Sequence, residues 1–240
     1  MRLYRRIRKR ADRISRRISD WRSGLPRPVP NDITPEAISR LVNRPSPVLL
    51  EIGAHNGSDT ARMLAAMPGA TIHCFEPDPR PRQQLVKRFG RDSRVFIHAV
   101  AVGAASGKAI FNQSAGSFGG YPLDWDYSGS LRAPKKHLKK HPEIKFDSKI
   151  EVDVVRLDDW ASDHGVSEVD FIWMDTQGAE VDIIAGGRET FAQTRFVYTE
   201  YSNDELYEGQ ITLVEILRRL PDFRILTRYP EDVLLENSKL

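Results

Sequence analysis

Three short apolar runs break off where a chain must turn: residues 48–54 close on Gly53-Ala54, residues 71–76 close on Glu76, and residues 169–174 run into Asp175. Apolar runs of this length without polar alternation are the pattern of strands buried on both faces, and such strands need helices to cover them. Helices are expected over 59–67, 79–89, 179–191 and 211–220, and further strands over 94–102, 108–113, 152–156 and 195–200. A closing antiparallel pair is expected at 223–228 and 233–236. This alternation implies a doubly wound α/β sheet with helices on both faces, which takes its ligands beyond the carboxyl ends of the strands.

The 240 residues suit one such domain with a short appendage. A 40% hydrophobic fraction beside 29% charged residues excludes wholesale disorder. The lone cysteine, Cys74, has no partner for an internal disulfide and reads as a strand core position. No apolar stretch reaches the roughly 20 residues of a membrane span, and the N-terminus lacks a signal-peptide core, so a cytoplasmic location is expected.

The net charge of +3 hides an asymmetry. Residues 1–22 hold ten Lys or Arg against Asp12 and Asp20, a local +8, which taken from +3 leaves −5 for the remainder. Leu3, Ile7, Ala11, Ile14, Ile18 and Trp21 recur at steps of three and four, so residues 1–23 read as a basic amphipathic helix. Its apolar stripe would pack on the body or on a second subunit, or lie peripherally on an anionic inner-membrane surface. Binding of nucleic acid by the arginines ranks a distant third. Residues 24–45 read as a Pro-rich linker and a short helix with Thr34 as N-cap and Pro35 at its first position, and 46–240 as the body.

At the first strand end, Glu51-Ile52-Gly53-Ala54-His55-Asn56-Gly57 places two glycines where the backbone turns and approaches a ligand. Its Gly-x-x-x-Gly spacing departs from the Gly-x-Gly-x-x-Gly that seats a dinucleotide pyrophosphate. A bare strand-to-helix turn is the alternative. Glu76, within Phe75-Glu76-Pro77, follows Gly57 near the offset at which an acid takes the ribose hydroxyls in nucleotide folds. A helix-capping or surface glutamate is the bland reading. Asp175 follows its apolar strand directly, and Gly178 lets the chain turn at once into a helix.

Asp175-Thr176-Gln177-Gly178-Ala179-Glu180 resembles the Asp-x-Gln-Gly-x-Glu signature of the FkbM family of S-adenosylmethionine-dependent methyltransferases. Glu51-x-Gly53-Ala54-x-Asn56-Gly57, Phe75-Glu76-Pro77, Ala101-Val102-Gly103 and Leu206-Tyr207-Glu208-Gly209-Gln210 stand in the family's order around it. The resemblance implies a Rossmann-like, seven-strand class I methyltransferase sheet ending in an antiparallel hairpin, and O-methylation of sugars or secondary metabolites. Position by position it implies that S-adenosyl-L-methionine meets Glu51, Gly53, Ala54, Asn56 and Gly57, with Gly53 and Gly57 bordering its methionine end. Glu76 and Pro77 would lie by the ribose and His98, Ala99, Val100 and Ala101 by adenine, with Asp175 also in contact. His98 departs from a frequent asparagine in that pattern.

Alignment of acceptor oxygen, carbon and sulfur supplies much of the acceleration in such a transfer, and a base within reach assists an aliphatic hydroxyl. Asp175 is the first candidate for base or positioning group, Glu200 the second and His55 the third. Two rim acids, Asp175 and Glu200, would alternatively hold Mg²⁺ against vicinal hydroxyls. Tyr121, Trp125, Tyr127 and Ser130, in a Gly- and Ser-rich stretch, would form an acceptor wall with Gln177, Tyr201 and Tyr207. Asp124 and Asp126 would bond sugar hydroxyls, and the lysines of 135–140 would suit acidic glycans or form a solvated charge run. The competing readings are a catalytically silent membrane- or glycan-binding module that keeps the fold, and an RNA methyltransferase.

Overall fold

The computed structural model describes residues 24–117 and 125–240. The arm expected over 1–23, and Tyr121 with it, lie outside the described residues.

The main sheet has seven strands. They are β1 (Val48–Ile52), β2 (Thr71–Phe75), β3 (Val95–His98), β7 (Val169–Met174), β8 (Thr194–Glu200), β9 (Phe223–Arg228) and β10 (Asp232–Asn237), in the order β3-β2-β1-β7-β8-β10-β9. All neighbours pair in parallel except β10, which runs antiparallel to both β8 and β9. The chain starts at the centre with β1, proceeds outward to β3, and returns on the other side of β1 as β7. That reversal opens a crevice between the carboxyl ends of β1 and β7, where open α/β sheets bind their ligands.

Helices cover both faces. On one side α1 (Pro35–Val42), α2 (Ser58–Ala66) and α3 (Pro79–Phe89) bury Ile38, Met63 and Leu85 against Leu49, Ile72 and Phe171. On the other, α5 (Leu157–Asp163), α6 (Glu180–Gly186), α7 (Arg188–Ala192) and α8 (Leu213–Arg219) pack Trp160, Ile183, Phe191 and Ile216 against Leu50, Ile52 and Ile172. The helix starts carry ordinary devices: Thr34 accepts from Ala37 N, Asp78 accepts from Arg80 N ahead of Pro79, and Thr212 with Glu215 forms a capping box. Residues 24–30 are strapped to the end of β9. Val29 N donates to Arg228 O at 2.8 Å, and the buried Arg228 guanidinium donates to Pro26 O and Tyr201 Oη.

Three sequence expectations need correction. The strand expected over 94–102 is broken at Ala99-Val100: β3 is an edge strand of the main sheet, while β4 (Ala101–Gly103) joins β5 (Gly107–Gly116) and β6 (Ile144–Arg156) in a separate sheet of order β4-β6-β5. The strand expected over 152–156 is only the tail of the 13-residue β6, whose outer half is charged and paired to β5. The helix expected over 179–191 divides at Gly186-Gly187, where a side chain on Gly186 would overlap the Gly103 carbonyl and so prevent the close approach of α6 to β4. The short α4 (His137–Lys140) precedes β6 and carries Lys139 and Lys140 of the basic cluster, Lys135 and Lys136 lying just ahead of it.

Candidate functional site

A cleft with a cavity volume of about 100 Å³ opens at the switch point. It is lined by the turn after β1, the ends of β2 and β7, the segment from Val100 to Val102 and the stretch from Asp126 to Leu131. The turn is built by Gly53 (φ 89°), His55 (φ 50°) and Gly57 (φ 75°), all in the left-handed region. Gly53 N and Ala54 N both donate to Phe75 O at 3.0 Å, and Asp175 N donates to Ile52 O at 3.0 Å. The three strand ends are therefore cross-tied.

Glu76 is 5% exposed and lines the cleft. One carboxylate oxygen accepts from His55 N and the other from Asp78 N, each at 2.8 Å. Burial pushes its pKa up to about 7 against the pull of those two amides. The turn and the acid thus face one another across a single cleft. Asp78 beside it, buried and also lining, is held by Arg80 and by Gln113 Nε2 at 2.9 Å.

Across the cleft, Asp175 and Glu200 form a pair. Gln177 Nε2 donates to Asp175 Oδ1 at 2.9 Å and to Glu200 Oε2 at 2.8 Å. Removal from bulk solvent raises both carboxyls above the usual range, and Glu200 is raised further by Asp175, Glu180 and Asp232. The side chain of Asp175 nevertheless opens onto the cleft, whereas Glu200 stands behind it and does not line it. Glu180, which ends the signature, is buried beneath the turn, where its Oε1 accepts from Thr176 Oγ1 and Gly178 N. Gln177 itself has φ 54° and Gly178 φ 98°, so the signature is a strained turn that delivers one amide between two acids.

His55 Nε2 lies 2.8 Å from Asp126 Oδ1, and its ring packs 3.9 Å from that of Tyr127. Asn56 Nδ2 donates to Tyr127 Oη at 3.3 Å. The stretch after β5 is in this way fastened to the glycine turn.

Of the residues expected at the cofactor, Gly53, Glu76, Pro77, Val100, Ala101 and Asp175 line the cleft. Glu51, Ala54, Asn56, Gly57, His98 and Ala99 do not. Glu51 sits on the α2 face of β1, buried, and accepts from Thr60 Oγ1 at 2.5 Å. Ala54 is buried below the turn, and Asn56 turns its Oδ1 to Ser58 N. A side chain on Gly57 would meet Leu85 and Phe89, so that glycine admits α3 rather than a ligand. The His98 ring stacks on Phe75 at 4.8 Å and bonds His73 at 3.2 Å, behind the cleft wall.

Of the expected acceptor wall, Tyr127 and Gln177 line the cleft. Trp125 bonds Ser128 Oγ, Ser130 Oγ donates to Gln177 O, Tyr201 Oη donates to Tyr229 O, and Tyr207 is 1% exposed with its hydroxyl on Ser128 O. These four side chains support the wall from behind. Sequence reasoning missed Asp78, whose signal was its place before Pro79 as an N-cap, and the pairing of Asp126 with His55, which spans 71 positions. Among the described residues no group of three or more His, Cys, Asp or Glu has the geometry to hold a metal ion, and no helix is long and apolar enough to cross a membrane.

A seven-strand sheet with one antiparallel strand near its end, and a cleft between a glycine turn and a buried acid, define a Rossmann-like domain of the class I methyltransferase type. Residues 51–228 match the Methyltransferase FkbM domain, and the chain belongs to that family. It is 43% identical to the 2-O-methyltransferase NoeI of Sinorhizobium fredii over 231 residues, which cover 95% of this chain and 94% of that protein. It is 24% identical to the AMB antimetabolite synthetase AmbE of Pseudomonas aeruginosa over 82% of this chain and 10% of that protein. Among solved structures, an rRNA methylase from Streptococcus thermophilus is similar with a TM-score of 0.43 and 9% identity, over 84% of this chain and 93% of that one. The chain is an S-adenosyl-L-methionine-dependent O-methyltransferase.

Proposed function

We propose that this enzyme methylates an uncharged sugar hydroxyl, with Glu76 on the ribose side of the cofactor and Asp175 at the acceptor. One observation carries the reading: among the described residues Glu76, Asp78, Asp126 and Asp175 line the cleft and no lysine or arginine lines it, Arg80 pairing with Asp78 from outside the lining. A cleft of this sign attracts a cationic sulfonium ligand and repels phosphorylated or otherwise anionic acceptors. Bound there, S-adenosylmethionine supplies an activated methyl group.

The chain's own residues do the rest. Each Glu76 oxygen uses one lone pair on a backbone amide and keeps another for a ribose hydroxyl. Asp175, raised from the ordinary carboxylate range chiefly by burial, accepts the acceptor hydroxyl's hydrogen bond and orients its oxygen. Tyr127, half exposed at the cleft edge and seated on His55, offers a ring face to a sugar. A sugar 2-hydroxyl is the first acceptor to test, because the 43% identical relative is named a 2-O-methyltransferase. On the same reading residues 46–240 act as the catalytic body, and the basic arm contributes a peripheral contact with an anionic membrane surface, tested by vesicle flotation with residues 1–22 removed.

Methyl transfer is measured against neutral oligosaccharides, sugar phosphates, nucleotide sugars and polyketide hydroxyls, with and without Mg²⁺. Turnover confined to neutral glycans supports the reading. Preference for a phosphorylated acceptor overturns it.

A further inference from the structure

Gln177 reaches two carboxyls at once only if its amide is turned one way. With the NH₂ group toward Asp175 and Glu200, the carbonyl oxygen Oε1 points back into the protein, where Tyr207 Oη stands 3.1 Å away. That hydroxyl is fixed in turn: it bonds Ser128 O at 2.9 Å, and its ring is buried beside His137 at 5.3 Å. A side chain on Gly178 would overlap Tyr207 Cβ, so the signature glycine is what lets the ring lie against the turn. Among the described residues the hydroxyl has no access to the cleft, so it cannot meet an acceptor.

A rotated amide would put Oε1 against the acids and remove the N–H that each now receives. In the observed orientation each acid receives one N–H, and the hydroxyl proton of Tyr207 is shared between the two carbonyl oxygens that face it. A phenylalanine at 207 would keep the packing and remove the constraint on the amide. The Tyr207 end of this chain of bonds is buried, where an unmatched donor or acceptor costs most.

We propose that Tyr207 is a positioning residue for methyl transfer, acting through Gln177 to hold Asp175 in the orientation that receives the acceptor. This rests on the placement of Asp175 at the acceptor given above. It assigns Tyr207 no contact with substrate, in place of the acceptor-wall role that the sequence suggested.

The test is a double-mutant cycle on turnover of the preferred neutral acceptor, using Tyr207→Phe, Gln177→Met and the pair together, with S-adenosylhomocysteine affinity measured on each. Tyr207→Phe is expected to lower kcat about tenfold with little change in KM for the acceptor or in cofactor affinity. In the Gln177→Met background the same change is expected to cost nothing more, because its route is already cut. Additive losses in the double variant overturn the proposal, as does a rise in acceptor KM with kcat intact, which would restore Tyr207 to the acceptor wall. If Tyr207→Phe does not fold, Gln177→Met alone decides, and wild-type kcat in that variant overturns the proposal. Asp175→Ala separates the two levels: an active variant removes the underlying reading, whereas an inactive one beside an unaffected Tyr207→Phe removes only this inference.

Discussion

Glu76 accepts the backbone N–H of His55 at 2.8 Å, so the acid that closes β2 holds in place the turn that closes β1. The carboxylate proposed for the cofactor ribose also holds the local fold together. Replacing Glu76 by alanine leaves the His55 and Asp78 amides without their acceptor, at roughly 1 to 3 kcal/mol for a buried group that stays unpaired. Thermal unfolding is expected several degrees lower, and calorimetry is expected to show S-adenosylhomocysteine affinity reduced at least about tenfold. Undiminished affinity would remove Glu76 from the cofactor site.

Asp175 opens to the cleft, but its neighbours hold it from behind. Asp175→Ala is expected to lower kcat by about 100-fold or more, with cofactor affinity nearly unchanged. Steady-state kinetics beside calorimetry checks this, and a variant with wild-type turnover would exclude Asp175 from the transfer step.

Two buried acids and one half-buried acid make stability depend on pH. Loss of solvent raises Glu51 to about 8, Glu76 to about 7 and Asp232 to about 7, all well above the ordinary carboxylate range. The folded chain therefore binds more protons than the unfolded chain between those limits, and stability falls as pH rises through them. The cofactor-free protein should unfold at a higher temperature near pH 5 than near pH 8. Glu51→Gln, which keeps the shape and cannot ionise, should flatten that decline; an unchanged slope would show that Glu51 ionises freely in the fold.

Gly53 has φ 89°, and a side chain there would overlap the Asp175 carbonyl. Gly165 has φ 65° with open space around it. Gly165→Ala is expected to cost about 1 to 2 kcal/mol for the left-handed backbone alone. Gly53→Ala should cost several times more, or prevent folding, because β1 and β7 would be forced apart. Equal melting temperatures for the two variants would contradict this account.

How much was legible follows from what each strand buries. The ends of β1, β2 and β7 could be read because parallel strands covered on both faces are continuous apolar runs that stop where the ligand begins. The same continuity concealed which way Glu51 points, since a strand buried on both sides carries no inside-outside alternation. The spacing of Gly57 suggests room for a ligand, but it says nothing of α3, whose Leu85 and Phe89 occupy the space a side chain would need. The acceptor wall was harder: Tyr201 and Tyr207 sit next to the right strand end, but only the packing shows their hydroxyls bonded to backbone carbonyls inside the protein. The alternating charges of β6 hid its length, and the contact between His55 and Asp126 joins segments no local pattern connects.

Between His98 and Ala101 the chain steps out of one sheet and into another, and the cleft straddles that step. Ile52, Phe75 and the residues that follow them come from the seven-strand sheet, while Ala101, Val102, Phe111, Gly129 and Leu131 come from the small sheet and the segment bonded to it. Insertions in the β5–β6 hairpin can thus reshape one wall of the cleft while the wall made by the main sheet stays as it is. One scaffold of this kind can be refitted to new hydroxyls by altering a single appendage.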